Sequence, residues 1–415
     1  MLRFIKLNFK ALVVLFAIST FVSCEGTKEK PDLYVVMLSI DGYRWDYSDR
    51  AETPNLDYIA ENGVVAEYVI PAFPTKTFPN HYTMATGLYP DNHGIVDNNF
   101  YCPDLQLRYR LGDRESVENS DFYFGEPIWV TAEKQDVTSA SYFWVGSELP
   151  VKDIQPTYWK RYDHTVAFEA RVDTAIYWLK LPEENRPRLV MLYFDEPDSQ
   201  GHKTGPDSPE ITTVVERLDS LVGVLKAGID ALPHADKVNF IVTSDHGMTN
   251  TSTERYVNLL DHIERDWIKY FQGGNPVFSF EMIENMEDSV YNILKEVDNI
   301  SVWRKEELPE RLNYGKSNRI NDIIVLADSS YSVGIGEPHA NFYAGAHGWD
   351  NANKDMHTVF YATGPSFKSG FVQPPFELVD LYPLIAKILG LEPAEIDGKL
   401  ERVKPMLKKQ QCYKK

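Results

Sequence analysis

Cysteine is scarce in this chain, with only Cys24, Cys102 and Cys412 among 415 residues. Their spacing excludes a cysteine-based zinc cluster. Positive charge is also short. Lys and Arg number 42 against 61 Asp and Glu, so the formal net charge is −19. A chain this acidic is a poor general binder of nucleic-acid backbone, which needs dense Lys and Arg. It can act on a small phosphate compound only where local positive charge is supplied. With mostly acidic side chains, that charge has to come from metal ions. Internal repeats and low-complexity segments are absent as well. What is present is an ordinary globular balance, 43% hydrophobic and 25% charged, which excludes a disordered chain. The length suits one large α/β domain with insertions, or two domains.

The longest targeting feature is at the N-terminus. Arg3, Lys6 and Lys10 precede an apolar run over 11–22. That run is too short to span a bilayer but has the length of a signal-peptide core. It ends in Phe21-Val22-Ser23-Cys24, which resembles a bacterial lipoprotein processing site with Phe where Leu is usual. The expectation is a signal peptide over 1–23, a lipid on Cys24, a polar tether over 24–32, and export to the periplasm or cell surface. Plain secretion with cleavage nearby is the alternative. Cys102 and Cys412 could pair in an oxidising compartment or stay as separate thiols.

Short apolar runs alternate with helical patterns, which predicts an α/β fold with a mostly parallel sheet flanked by helices. The clearest strands are 33–40, 188–194, 237–244, 322–328 and 357–364, all nearly continuous in apolar residues, as strands buried on both faces are. Helical spacing covers 53–63, with Thr53 as cap and Gly63 as stop, 166–180, and 209–232. The stretch from about 255 to 340 has fewer long apolar runs and reads as an inserted smaller subdomain within a catalytic domain over 33–405.

In open α/β sheets the ligand site lies beyond the carboxyl ends of the strands. Three predicted strands end in metal-suitable clusters. The first runs into Asp41-Gly42, the second into DEPDSQGH with Asp198 and His202, the third into Asp245-His246-Gly247. Core strands need no acids there. Asp198 and His202 are four apart and can face one way on a helical turn. His347 sits in GAHGWDN, among small residues that let backbone pass close to a site. Carboxylate plus imidazole is a ligand set that suits zinc. Thr77 lies in PTKTFPNHYTMATG. A Thr hydroxyl is a weak nucleophile unless a base or metal activates it; the bland alternative is that Thr77 caps a helix starting near Pro79. A helix N-terminus there would favour an anion in either case.

Four motifs in order, PTKTFPNHYTMATGLYPDNHGIVDNN, YFDEPDSQGHKTGPDS, VTSDHGM and GAHGWDN, resemble the nucleotide pyrophosphatase/phosphodiesterase family of the alkaline phosphatase superfamily. The resemblance covers roughly 35 to 400 and implies an alkaline-phosphatase-like fold with two zinc ions. It implies that Asp41, Thr77, Asp245 and His246 hold one ion, Thr77 being also the nucleophile, and that Asp198, His202 and His347 hold the other. Asn98 matches the donor to a non-bridging phosphate oxygen. Phe78 and Tyr162 fall where the family places aromatics around a nucleobase, and Tyr193 where it lines the pocket. Core packing is the other reading of these aromatics. His81 and His93 match no ligand position and read as structural.

Three Asp carboxylates and a Thr alkoxide carry four negative charges, and two zinc ions four positive. A neutral core suits a singly charged diester gripped by neutral Asn98, whereas a phosphomonoester carries about two charges near pH 7. Lys160 and Arg161, before Tyr162, could add a cation but read as a solvated loop. The expected activity is cleavage of nucleotide diesters or phosphoanhydrides to nucleoside 5′-monophosphates through a phosphothreonine. The expected partners are small nucleotides, with no specific nucleic-acid binding and membrane contact only through a lipid on Cys24. A lysophospholipid or phosphocholine diesterase, a phosphomonoesterase, and a non-catalytic relative are the alternatives.

Overall fold

The apolar run that begins at Tyr34 becomes the middle of a sheet. In the computed structural model, which describes residues 30–340 and 342–409, strand β1 (Tyr34–Ile40) is buried along its whole length. Seven further strands join it: β2 (Val64–Ala66), β3 (Ser139–Tyr142), β4 (Tyr158–Lys160), β5 (Leu189–Phe194), β6 (Val238–Thr243), β11 (Phe360–Thr363) and β12 (Phe371–Gln373). Their order is β12-β2-β11-β6-β1-β5-β3-β4. The pairs from β6 through β4 are all parallel. β11 runs antiparallel to both β6 and β2. The expected α/β architecture with a large, mostly parallel sheet is therefore present.

Side-chain alternation along β1 explains the two helical layers. Val35 and Met37 point into one apolar cluster, with α2 (Thr77–Thr86) and α7 (Leu381–Leu389). Val36, Leu38 and Ile40 point into the other, with α1 (Pro54–Asn62), α3 (Phe168–Leu179) and α5 (Pro209–Asp230). A period of two on a strand covered by helices on both faces requires apolar residues at every position. That is why β1, β5 and β6 read as nearly continuous hydrophobic runs.

The run over 322–328 does form a strand, but in a different sheet. Strands β7 (Ile268–Gly274), β8 (Val277–Met282), β9 (Ile300–Arg304) and β10 (Ile323–Ala327) form a four-stranded antiparallel sheet in the order β7-β8-β10-β9. Ile323, Val325 and Ala327 pack into a cluster of their own with α6 (Glu287–Lys295), while Ile324 and Leu326 reach the main core. Both faces of β10 are covered, so its sequence looks like a strand of the central sheet.

The cap of α1 also differs from expectation. Thr53 makes no side-chain cap bond. Buried Asp219, from α5, accepts from Asn55 N at 3.2 Å and Leu56 N at 2.8 Å instead. One carboxylate thus serves the open amides of a helix start and ties two helices together. Asp219→Ala is expected to lower unfolding free energy by about 2 kcal/mol, because it strands two donors. Urea denaturation with an unchanged slope would show it.

Cys102 is fully buried in the main core. Cys24, Cys412, the signal peptide and the tether before Lys30 lie outside the described residues. Among those described, no helix is long and apolar enough to cross a membrane.

Candidate active site

Three neighbouring parallel strands deliver their following residues to one place. β1 ends at Ile40, and Asp41 N is held by Phe194 O at the end of β5 (2.9 Å). After β6, Asp245 Oδ1 accepts from Gly42 N at 3.1 Å and Ser244 Oγ from Tyr43 N at 2.9 Å. Gly42 has a φ of +69°, and a Cβ there would lie 2.9 Å from Asp198 Cβ. Only glycine lets the chain turn there with Asp198 so close. Asp198 N in turn donates to Asp41 O at 3.1 Å. Asp198 opens α4 (Asp198–Thr204), and His202 follows one turn later with its Nε2 3.5 Å from Asp198 Oδ2. His347 arrives because Thr249 and Asn250 pair antiparallel with Ala346 and Gly345.

The three imidazoles share one arrangement. Nδ1 of His202 meets Gly345 O at 2.8 Å, that of His246 meets Gly247 O at 2.8 Å, and that of His347 meets Thr75 O at 2.9 Å. A carbonyl can only accept, so Nδ1 carries the proton and each Nε2 keeps its lone pair. Those Nε2 atoms approach carboxylates. His246 Nε2 is 3.3 Å from Asp41 Oδ1 and 3.1 Å from Asp245 Oδ2, and His347 Nε2 is 3.6 Å from Asp198 Oδ1. The same three oxygens, Asp41 Oδ1, Asp245 Oδ2 and Asp198 Oδ1, are buried without a hydrogen-bond partner. Buried, unpartnered carboxylate oxygens beside imidazole lone pairs are what a cation site requires. Asp41, Asp245 and His246 can converge on one ion, and so can Asp198, His246 and His347. The rings of His246 and His347 stack at 3.6 Å, and His246 belongs to both groups.

Charge crowding has the expected effect on the acids. Burial, then the charges of Asp245 and Asp198, push the Asp41 carboxyl well up. Burial opposes the charged form of Asp245, and the Gly42 N–H that its Oδ1 accepts favours it. Burial followed by the neighbouring imidazoles drives His347 well below the usual histidine range, so it is a neutral donor.

Thr77 begins α2 rather than preceding it, and its Oγ1 is 3.2 Å from His246 Nε2. The expected free amides at this helix start are largely spent or missing. Phe78 N donates to Asn98 Oδ1 at 3.0 Å and Pro79 has no N–H. That bond orients Asn98 so that its NH2 is free to face a ligand. Phe78, Asn98, Tyr162, Tyr193, Thr77, Asp41, Asp198, His202 and His347 all line one cleft of about 490 Å³; Asp245 and His246 lie fully buried behind it.

Several residues have roles that motif reading left out. His81, read as structural, places Nδ1 2.9 Å from Thr77 O and 3.3 Å from Asp245 Oδ2, with Nε2 2.9 Å from Ser39 Oγ. Its Nδ1 meets the backbone of Thr77 and its ring packs beside Asp245, and its position four after Thr77 in a helix was the available signal. Tyr193, expected to line the pocket, also donates its hydroxyl to Asp41 Oδ2 at 2.6 Å. Tyr193→Phe is expected to weaken metal affinity about 10- to 100-fold through the loss of that bond, read by competitive titration with a chelating dye. Arg114 and Glu148 also line the cleft. Arg114 is bound by Glu118 at 2.7 Å and by Glu148. Arg161 points to Glu118 at 2.6 Å and is mostly exposed. Among the described residues that line the cleft, Arg114 is thus the one Lys or Arg, and two carboxylates already hold it.

The model of one protein family, type I phosphodiesterase / nucleotide pyrophosphatase, matches residues 35–350. The chain belongs to this family. Human ectonucleotide pyrophosphatase/phosphodiesterase family member 5 is 34% identical over 98% of this chain and 83% of its own length. Mouse family member 7 is 34% identical over 96% and 93%. Rat family member 3 is 34% identical over 92% of this chain but only 45% of its own length, so the chain spans about half of that relative. Among solved structures, murine ectonucleotide pyrophosphatase/phosphodiesterase 5, as an inactive threonine-to-alanine variant in complex with AMP, superposes with a TM-score of 0.86. It is 35% identical, and the match covers 91% of this chain and all of that one. The human form of the same relative matches equally well.

Proposed function

We propose that the protein is an exported phosphodiesterase that cleaves nucleotide diesters or phosphoanhydrides to nucleoside 5′-monophosphates, with Thr77 as nucleophile. The observation that carries this is the clustering of three unpartnered carboxylate oxygens with the Nε2 atoms of His246 and His347, where His246 Nε2 lies 3.2 Å from Thr77 Oγ1 and His202 Nε2 lies 3.5 Å from Asp198 Oδ2. That donor set fits two zinc ions. Asp41, Thr77, Asp245 and His246 would hold one, and Asp198, His202 and His347 the other. When bound, the two ions supply the positive charge that lowers the pKa of a hydroxyl and neutralises a phosphoryl group.

The protein's own groups do the rest. Thr77 Oγ1 loses its proton to solvent and bonds to phosphorus as the bond from phosphorus to the leaving oxygen breaks, the leaving group departing as its anion or taking a proton from solvent. Water then bonds to phosphorus and sheds a proton, the Thr77 Oγ1–P bond breaks, Oγ1 takes a proton back, and the monophosphate leaves. Asn98, oriented by Phe78 N, donates its NH2 to a non-bridging oxygen, one of those that carry the phosphoryl group's negative charge through the transition state. Tyr193 and Gly42 N hold Asp41 and Asp245 in place. Phe78 and Tyr162, partly exposed on the cleft wall, are placed to flank a base, a contact worth about 1–3 kcal/mol. The cleft offers no unpaired Lys or Arg among the described residues, which favours a singly charged diester over a monoester.

The AMP complex of the murine relative and its inactivation by a threonine-to-alanine change support the same reading. We also treat 33–405 as the catalytic domain, with 255–340 as an insertion around the second sheet, and the chain as lipid-anchored at Cys24 outside the cytoplasm. The prefix ecto in the relatives' names agrees with export. Purified protein offered a nucleotide diester, a phosphocholine diester and a phosphomonoester should turn over the first fastest. Dominant hydrolysis of either other substrate would sink the assignment.

A further inference from the structure

The strongest local departure from the chain's acidic character lies at the other end of the sheet. Lys368, Lys387, Lys404, Lys408 and Lys409 line one open groove of about 830 Å³, with Glu401 as its one acid. Only Lys404 of the five has a carboxylate within ion-pair distance among the described residues, Glu401 at 3.2 Å. Lys368 lies over the Phe371 ring at 4.4 Å, and Lys387, Lys404, Lys408 and Lys409 are exposed. Leu33, Ile388 and Leu407 form an apolar floor between them. A chain of net charge −19 that collects five cations around an apolar floor presents the pattern that binds an anionic interface. Charged heads meet phosphate while the floor meets acyl chain.

Position supports the same partner. Leu33 lies one residue before β1, so the groove is at the amino end of the parallel strands, whereas Asp41 and the cleft lie beyond their carboxyl ends. Seven residues of strand separate them by about 20 Å. A flat surface against the groove would leave the cleft facing away from it and open to solution.

We propose that this lysine-rimmed groove is a docking face for an anionic phospholipid surface, distinct from the catalytic cleft and independent of any lipid on Cys24. The test is partition of the full chain between buffer and vesicles of phosphatidylglycerol mixed with phosphatidylcholine, against vesicles of phosphatidylcholine alone. The ratio of the two partition coefficients is the readout, because an acyl chain or apolar segment inserts into both vesicle types. The wild type should favour the anionic vesicles, and less so as salt is raised. Lys368→Gln, Lys387→Gln and Lys408→Gln together should cut that preference about a hundredfold. Hydrolysis of a soluble nucleotide diester should not change, which also shows that the variant is folded. No preference in the wild type, or the same preference in the triple variant, would overturn the proposal.

Discussion

Replacement of Thr77 by alanine is expected to reduce diester turnover by at least about a thousandfold while metal content stays at the wild-type level. The other aliphatic hydroxyl on the cleft, that of Ser199, is bound to Asp195 O, and losses of this size or larger follow removal of a nucleophile that begins a two-step displacement. The ligands explain the second half of the expectation. Asp41 is held by Tyr193, Asp245 by Gly42 N, and His246 Nδ1 by Gly247 O; Thr77 touches only His246 Nε2. Deleting one hydroxyl leaves those bonds intact. Elemental analysis of the purified variant beside its kinetics would separate the two. Near-wild-type turnover would remove Thr77 from the mechanism; loss of the metals as well would make it chiefly a ligand.

Chelation is expected to take activity to background and to lower the melting temperature, with both restored by added zinc. The site explains why the folded chain gains from the ions. Asp41, Asp198 and Asp245 lie close enough for burial and mutual charge to push Asp41 far above an ordinary carboxyl. Their inward oxygens have no hydrogen bonds. An ion that binds the folded chain and not the unfolded one stabilises it by about 4 kcal/mol at a thousandfold excess over its dissociation constant. Activity that persists in protein shown to be metal-free would refute the proposed chemistry.

How much of this was legible without coordinates depended on how local the cause was. Strand and helix patterns in β1, β5, β6, α3 and α5 are local, and the residues show them. The acids after three strands were legible because carboxylates interrupt runs that otherwise have every reason to stay apolar. Asp198 and His202 lie one helical turn apart, and the structure brings their side chains to 3.5 Å. The 322–328 run reads as a strand and is one, but its sheet is not legible, because burial on both faces leaves the same pattern whichever sheet a strand joins. Thr53 was read as a cap because capping is usually local, yet the acceptor came from Asp219, 164 residues beyond Asn55 in the chain. Arg114 and Glu148 carried no motif at all and entered the cleft through the fold alone.

The residue order was enough to settle the fold class and the family. Periodicity and motif spacing are properties of neighbouring residues, and four ordered motifs are too long to arise by accident. Only the tertiary structure decided which nitrogen of each imidazole is free, which carboxylate oxygens lack partners, and that the cleft's one guanidinium is already bound. It also placed five lysines together, although they come from four segments between 368 and 409. These outcomes rest on bonds between distant parts of the chain, such as His347 to Thr75 O and Tyr193 to Asp41, and such bonds exist only once the core has packed.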